Sequence, residues 1–210
     1  MEDRFAQTNH GRIHWLEAGS GDALILLHSN GCSAHEFQQV FEPLAKQFRV
    51  IAWDMPGHGD SDPITRHYRI ADYADAVVGL MDALGIGQAW VAGASIGGLI
   101  CVELGAVHSA RMKGVVIVEA MSKPEAEWKS QWPRIEATFG ADVQSFDEVR
   151  PRFRDLTPQT HARWNIDRAK AGVWTMMDVM WAIREYDVTQ RSLAIRSPSA
   201  VIWGEVGPVK

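Results

Sequence analysis

The sequence predicts an α/β fold in which a mostly parallel sheet is covered by helices on both faces. Short runs that are apolar at nearly every position recur along the chain, as expected for strands that are buried on both faces. These runs alternate with stretches that can form helices, which is typical of parallel strands joined by crossover helices. The 210 residues suffice for one domain with a substantial core and an inserted lobe.

The predicted elements follow one another in a regular order. Two weaker candidates for antiparallel strands come first, at residues 4–8 and 11–17. The five apolar strands are predicted at residues 23–28, 49–54, 89–93, 114–119 and 199–203. The helices between them are predicted at residues 36–47, 70–84 and 98–108. The chain shows no internal repeat that would indicate an array of small units.

Residues 121–190 interrupt this order, because they contain no clear strand and have mostly helical character. We therefore predict a helical cap at 121–190, inserted after the sixth strand, and a sheet core formed by 1–120 and 191–210. Most of the five tryptophans of the cap are expected to build its own core. Trp128, Trp174 and Met177 are the candidates for lining an apolar substrate pocket.

The composition excludes several classes of partner. The net charge of −5 provides no basic surface for nucleic acid. No apolar run approaches the ~20 residues that a membrane span needs, and the first residues lack the apolar segment of a secretory signal. Cys32 and Cys101 are expected to be reduced thiols, as in a cytoplasmic protein, and neither has the spacing of a metal ligand, so no metal site is expected.

The pentapeptide Gly93-Ala-Ser-Ile-Gly97 joins a predicted strand to a predicted helix and fits the pattern G-x-S-x-G. In a sharp strand-to-helix turn this pattern places the serine at the apex, where its hydroxyl is exposed and can attack a carbonyl. Glycine at both ends relieves the crowding that a Cβ atom would cause. The alternative is an ordinary glycine-rich turn without chemistry.

Three further stretches decide between these alternatives. They are residues 26–37 (LLHSNGCSAHEF), 54–61 (DMPGHGDS) and 196–205 (RSPSAVIWGE). Together with the pentapeptide, in this order and spacing, they resemble the serine-nucleophile esterase and lactonase branch of the α/β-hydrolase superfamily, over nearly the whole chain apart from the cap. The loop that begins at His28 is also similar to that of 3-oxoadipate enol-lactone hydrolases. The resemblance implies an eight-stranded, mostly parallel sheet with a cap after the sixth strand.

The resemblance also implies roles for individual residues. Ser95 would be the nucleophile, attacking a small apolar ester or lactone to form an acyl-enzyme without any cofactor. The backbone N–H of Ile96 and the position of Asn30 would form the oxyanion hole. His28 and His58 are expected to organise loops rather than to act as bases.

The acid of the predicted triad has two candidates. The family usually places an aspartate after the seventh strand, where this chain has Gly207. Some members place the acid after the sixth strand instead, and Glu119 occupies that position. Glu119 is therefore the candidate acid, although a carboxylate there can also simply bind loop amides. Glu205 is the weaker substitute.

The base is missing from its usual place. The family's histidine follows an eighth strand, whereas this chain ends at Lys210, so the C-terminal part is expected to be absent. His35 and His161 are the weaker candidates for a base. The chain is therefore expected to be a very weak hydrolase or a catalytically silent protein that binds an apolar small molecule, with C–C bond hydrolysis as a further alternative. Without an eighth strand, residues 199–203 would form an exposed edge, through which a homodimer could form.

Overall fold

The computed structural model describes residues 2–120 and 123–204. The strands in these residues are β1 (Glu2–Thr8), β2 (Gly11–Ala18), β3 (Ala23–Leu27), β4 (Arg49–Trp53), β5 (Ala89–Ala94), β6 (Met112–Val118) and β7 (Ser199–Ile202). The α-helices are α1 (Gln38–Ala45), α2 (Ile70–Ala83), α3 (Ile96–Val107), α4 (Glu125–Phe139), α5 (Phe146–Val149), α6 (Pro158–Glu185) and α7 (Val188–Ser192). Short 3₁₀ turns lie at Ala34–Phe37, Ser109–Arg111 and Arg150–Arg152.

The strands form one sheet in the order β1-β2-β4-β3-β5-β6-β7. The pairs β1–β2 and β2–β4 are antiparallel, and the other pairs are parallel. This confirms the predicted α/β class with a mostly parallel sheet. The implied eighth strand has no counterpart in the described residues, and Glu205 and Gly207 lie outside them.

Alternating side chains of β3 show how the sheet is covered on both faces. Ile25 and Leu27 are buried in a cluster with α2 and α3, whereas Leu24 and Leu26 are buried in a second cluster with Phe41 of α1. Side chains of a strand point alternately to opposite faces, so an unbroken apolar run is buried only when both faces are covered. Helices on both faces are therefore confirmed.

The predicted ends of two elements shift by a few residues. β3 ends at Leu27 rather than at His28, and the buried ring of His28 bonds to the backbone of Ser29 and Met55 in the loops that follow β3 and β4. The helix predicted at 36–47 begins earlier, as the 3₁₀ turn that precedes α1. Ser33 caps this turn, since its hydroxyl accepts a hydrogen bond from the N–H of His35.

Four α-helices lie between β6 and β7, and three of them, α4, α5 and α6, fall within the predicted cap. α6 is broken at Gly172, whose φ of 73° and ψ of 157° are accessible to glycine and strained for other residues. Residues 188–192, which form α7, pack against α3 of the sheet core and span the predicted boundary at residue 190. The division into core and cap stays a prediction.

β7 lies at one end of the sheet and pairs only with β6 among the described strands. The side chains of Val201, Ile202 and Trp203 are each at least half exposed. The homodimer through this edge stays a prediction. Within the described residues, no helix combines the length and the apolar character needed to cross a membrane.

Candidate active site

Ser95 lies at the junction of β5 and α3, and its backbone has a conformation that few residues other than glycine adopt. Its φ is 56° and its ψ is −116°, and its side chain is half-buried. The two glycines of the pentapeptide are required by close contacts: a Cβ at Gly93 would lie 2.2 Å from the carbonyl oxygen of Gly97, and one at Gly97 would lie 2.2 Å from that of Leu27. The turn predicted from the pattern is therefore present, and its glycines cannot be replaced without moving backbone.

Backbone hydrogen bonds fix the position of Ser95. Its N–H donates to the carbonyl of Val118 at the end of β6 (3.0 Å), and its carbonyl accepts from Gly98 in the first turn of α3 (3.0 Å). Ile96, the predicted oxyanion donor, is buried as the first residue of α3. A helix N-terminus carries partial positive charge and unpaired N–H groups, which favour a developing oxyanion nearby.

Asn30, the second predicted oxyanion position, is buried in the loop after β3. Its Nδ2 donates to the carbonyl of Met176 in α6 (2.9 Å), and its Oδ1 lies 3.3 Å from Nε2 of His58. The side chain therefore ties the cap to the sheet core, which leaves the backbone N–H of Asn30 as the predicted donor. Burial and, second, the nearby charge of His28 lower the pKa of His58 to about 3, so its ring is neutral near pH 7.

Glu119, the candidate acid, follows β6 directly and also has a left-handed φ, of 46°. Ser95 and Glu119 are the two non-glycine residues with positive φ in the described part of the chain. The Glu119 N–H donates to the carbonyl of Ile202 (3.1 Å), and its Oε1 accepts from the N–H of Gly204 (3.2 Å). The contacts of Glu119 are thus with the backbone at the end of β7, and no described imidazole contacts its carboxylate.

None of the eight histidines, all of which are described, forms a hydrogen bond with Ser95. His35 makes no side-chain hydrogen bond with a described residue. His161 lies in the cap, where its Nε2 is 2.8 Å from the carbonyl oxygen of Gln144. His28 and His58 bond to loop backbone and to Asn30, as expected of residues that organise loops. Among the described residues, no imidazole is therefore hydrogen-bonded to Ser95 as a base.

The three candidate pocket residues differ in environment. Trp128 is buried in the large core cluster with Trp132 beside it, whereas Trp174 is 57% exposed. Met177 is half-buried and follows Met176, whose backbone carbonyl holds Asn30. The cap therefore contacts the loop after β3 through the middle of α6.

The pair formed by His14 and Asp54 was missed in the sequence, although both residues are fully buried. His14 Nδ1 lies 2.7 Å from Asp54 Oδ2, and the same carboxylate accepts from the N–H groups of Ala34 (2.7 Å) and Asp60 (2.8 Å). Gly59 makes room for it, because a Cβ there would lie 2.0 Å from Asp54 Oδ2. The one feature of the sequence that pointed to this region was the Pro-Gly-His-Gly turn at residues 56–59, which follows β4.

The pair is a buried carboxylate that is hydrogen-bonded to an imidazole ring. Burial disfavours the charge on Asp54, but the hydrogen bond from His14 and the backbone donors outweigh it and lower the pKa of Asp54 to about 2. Burial likewise lowers the pKa of His14, and the bonds to Asp54 and Asp3 outweigh it, so the pKa of His14 is raised. His14, Asp54 and Asp60 are close enough together to hold a metal ion, but both ring nitrogens of His14 already bond to carboxylates.

Comparisons with known proteins agree with this architecture. The sequence family described as the alpha/beta hydrolase fold matches residues 22–157 of the chain. A curated 3-oxoadipate enol-lactonase 1 from Acinetobacter baylyi is 26% identical over 205 residues, covering 89% of this chain and 72% of that protein. A pimeloyl-(acyl-carrier protein) methyl ester esterase from Vibrio vulnificus is 31% identical over 168 residues, covering 78% of this chain and 64% of that protein.

The fold of the chain is also similar to that of solved hydrolases, and the chain covers only part of the length of some relatives. The enol-lactonase from Burkholderia xenovorans superposes with a TM-score of 0.79 at 24% identity, over 98% of this chain and 83% of that one. The chain covers only 44% of the length of another matched protein, an (E)-2-((N-methylformamido)methylene)succinate hydrolase from Acinetobacter baylyi. Because the family match extends over more than half of the sequence and the sheet has the expected order, the chain belongs to the α/β-hydrolase fold family.

Proposed function

We propose that the protein is a serine hydrolase that cleaves a small, largely apolar carboxylic ester or lactone through an acyl-enzyme on Ser95. The observation that carries the proposal is the backbone of Ser95, held at a φ of 56° between β5 and α3. Such a conformation costs about 1–3 kcal/mol in a residue other than glycine, and strain of this kind concentrates at active sites. In a strand-to-helix turn of this kind, the proposal places the serine hydroxyl at the exposed apex, where a substrate can reach it.

The proposed chemistry is acyl transfer to water. Ser95 Oγ attacks the carbonyl carbon while its proton passes to a base, and the carbonyl electron pair moves onto the oxygen. The N–H groups of Ile96 and Asn30 would bind that oxyanion. Collapse of the tetrahedral intermediate breaks the C–O bond, and the leaving alkoxide takes a proton; in a lactone it stays attached as the far end of the acyl chain. Water then releases the acid from Ser95.

Two relatives support a reaction at a carbonyl. One bears the name of an enol-lactonase and the other that of a methyl ester esterase. Lactone opening and ester hydrolysis both proceed by attack on an acyl carbon, so one nucleophile serves both. In our proposal Trp128, Trp174 and Met177 contribute apolar surface of the cap to the substrate pocket.

The rate of this chain should be low. Nucleophile and base act as a unit, and the loss of one leaves only about 10³–10⁴-fold acceleration from binding and the oxyanion hole. Since no imidazole contacts Ser95, a second candidate function is a catalytically silent member of the family that binds an apolar small molecule.

Phosphonylation of Ser95 distinguishes the two functions. The protein is incubated with a fluorophosphonate, and the modified peptide is identified by mass spectrometry. In a form of the protein in which a base activates Ser95, we expect modification of Ser95, none in Ser95→Ala, and unchanged modification in Ser130→Ala, which removes an exposed serine of α4. Modification that persists in Ser95→Ala would refute the assignment, and a complete lack of modification would favour the silent function.

Glu119→Gln tests the acid. The substitution preserves an acceptor for the N–H of Gly204 but removes the charge that would stabilise an imidazolium. In any form of the protein that shows turnover dependent on Ser95, kcat should fall by orders of magnitude with the fold intact, as in the loss of a triad acid. An unchanged kcat would give Glu119 a purely structural role.

A further inference from the structure

The loop after β3 and the turn after β4 pack against the same part of α6. A Cβ placed on Gly31 would lie 2.9 Å from Sδ of Met176, and one on Gly57 would lie 2.8 Å from Cγ2 of Thr175. Both glycines also have left-handed φ angles, of 74° and 80°. Glycine at these two positions therefore lets a cap helix lie directly on two loops of the sheet core.

The Asn30 side chain joins these three segments. Its Nδ2 donates to the carbonyl of Met176 (2.9 Å), and its Oδ1 lies 3.3 Å from Nε2 of His58. Because a carbonyl oxygen can only accept, the amide nitrogen of Asn30 must face Met176, and its oxygen must face His58. The neutral ring of His58 therefore carries its single proton on Nε2 and donates it to Asn30.

The backbone N–H of Asn30 is free although the residue is buried. It donates to no residue that the structure describes, whereas buried backbone N–H groups are nearly always bonded. The loop that carries it begins beside the nucleophile turn, since Leu27 at the end of β3 pairs with Gly93, two residues before Ser95. A free buried donor at this place is what a developing oxyanion requires.

We propose that His58 and the Asn30 side chain are positioning residues, which hold the backbone N–H of Asn30 in the oxyanion hole with α6 of the cap as their second support. The inference rests on the oxyanion hole of the proposed function. A bond at each end of the Asn30 amide fixes the residue before the substrate arrives, so its N–H need not reorganise as charge develops. Since one of the two bonds is to the cap, the seating of α6 contributes to the oxyanion hole.

Two amide substitutions of His58 test the inference. The oxyanion hole and binding alone sustain about 10³–10⁴-fold acceleration, so hydrolysis of p-nitrophenyl butyrate can be measured without a complete triad. Glutamine can place an N–H near the position of Nε2, whereas asparagine is one methylene shorter and does not reach Asn30. We expect His58→Asn to lower kcat about tenfold with little change in KM and His58→Gln to stay within about threefold, since outright loss of an oxyanion donor costs about 10²–10³.

A double-mutant cycle tests whether His58 acts through Asn30. Asn30→Ala removes both side-chain bonds but keeps the backbone N–H, so kcat should fall further than in His58→Asn. Adding His58→Asn to Asn30→Ala should then change kcat by less than about twofold, because residues that act as one unit are not additive. Independent, additive losses would overturn the inference, as would equal losses in His58→Gln and His58→Asn.

Nitrogen NMR of the histidine rings in the original protein gives a readout that does not depend on the folding of a variant. Near pH 7 we expect the His58 ring to be neutral with its proton on Nε2. A proton on Nδ1 alone would overturn the inference, because Nε2 could not then donate to Asn30. A hydrolysis rate no higher than that of buffer would also overturn it.

The same assays in the Ser95→Ala background separate this inference from the proposed function. Hydrolysis that Ser95→Ala leaves unchanged but His58→Asn lowers would refute the acyl-enzyme and leave the oxyanion hole with its support. Turnover that depends on Ser95 but is the same in His58→Asn would leave the proposed function standing and remove only this inference.

Discussion

Two buried charges, Asp54 in the sheet core and Arg168 in the cap, differ in how they are bonded. Asp54 accepts from the ring of His14 and from two backbone N–H groups, so each of its oxygens has a protein partner. Arg168 uses one nitrogen for the end of α4 and leaves two nitrogens unpaired within the described residues. Removing one partner of a fully bonded buried charge is strongly destabilising, whereas a buried charge with unpaired donors already costs free energy in the folded state.

The largest expected effect is the loss of the Asp54 carboxylate. Asp54→Ala would leave the ring of His14 and the N–H groups of Ala34 and Asp60 buried without an acceptor. We expect the free energy of unfolding, measured in urea, to fall by about 3–5 kcal/mol. Asp75→Ala is the matched control, because Asp75 forms an exposed pair with His108 and should change stability by about 0–1 kcal/mol. If Asp54→Ala lowered the free energy of unfolding as little as Asp75→Ala does, the full set of bonds to Asp54 would not distinguish it energetically from Arg168.

The second-largest expected effect is the loss of folding stability when Asp54 is protonated at low pH. Its pKa is about 2 in the folded protein against an ordinary 3.8, so its contribution is complete above pH 4 and is lost as the pH falls through 2. The lost stability amounts to about 2 kcal/mol. Urea unfolding between pH 5 and 2 should therefore show a steeper loss in the original protein than in Asp54→Asn. Parallel curves would mean that Asp54 titrates normally.

A smaller change is expected at Arg168 itself. Arg168→Met removes the bonds to the end of α4 but also removes a buried charge that lacks a full set of partners. These effects oppose each other, so the free energy of unfolding should change by about 1 kcal/mol or less. A loss as large as that of Asp54→Ala would show that the bonds of Arg168 to the end of α4 outweigh the cost of its unpaired nitrogens.

The smallest effect concerns a half-exposed contact between the cap and the sheet core. His67 Nδ1 lies 2.6 Å from Asp178 Oδ1 of α6. Partial burial lowers the pKa of His67, but the bonds to Asp178 and Glu185 outweigh it and raise the pKa above its ordinary value. The stabilisation is therefore complete below about pH 6 and is lost as the pH rises through the raised pKa.

Solvent limits this stabilisation to about 1 kcal/mol or less. Thermal unfolding between pH 5 and 9 should show it, and His67→Gln should reduce the pH dependence by this amount while the part that comes from His14 remains. An identical pH profile in this variant would show that another group is responsible.

Much of the fold could be predicted because its signals are local. The run ALILL of β3 is apolar at every position, and the structure buries it on both faces. The turn at Ser95 was also local, since Gly93 and Gly97 flank the serine within five residues. The beginning of α1 was less predictable, because the capping bond of Ser33 and the 3₁₀ turn depend on individual hydrogen bonds.

The sequence by itself determined the alternation of strands and helices, the position of the turn at Ser95 and the membership in a hydrolase family. These features depend on residue types within short segments, whose periodicity and steric needs are visible in one dimension. Only the tertiary structure decided that His14 meets Asp54, 40 positions away, and that Arg168 approaches Gly31. Such pairs form when crossover connections and cap helices bring distant segments together, and side-chain chemistry alone does not specify which partners will meet.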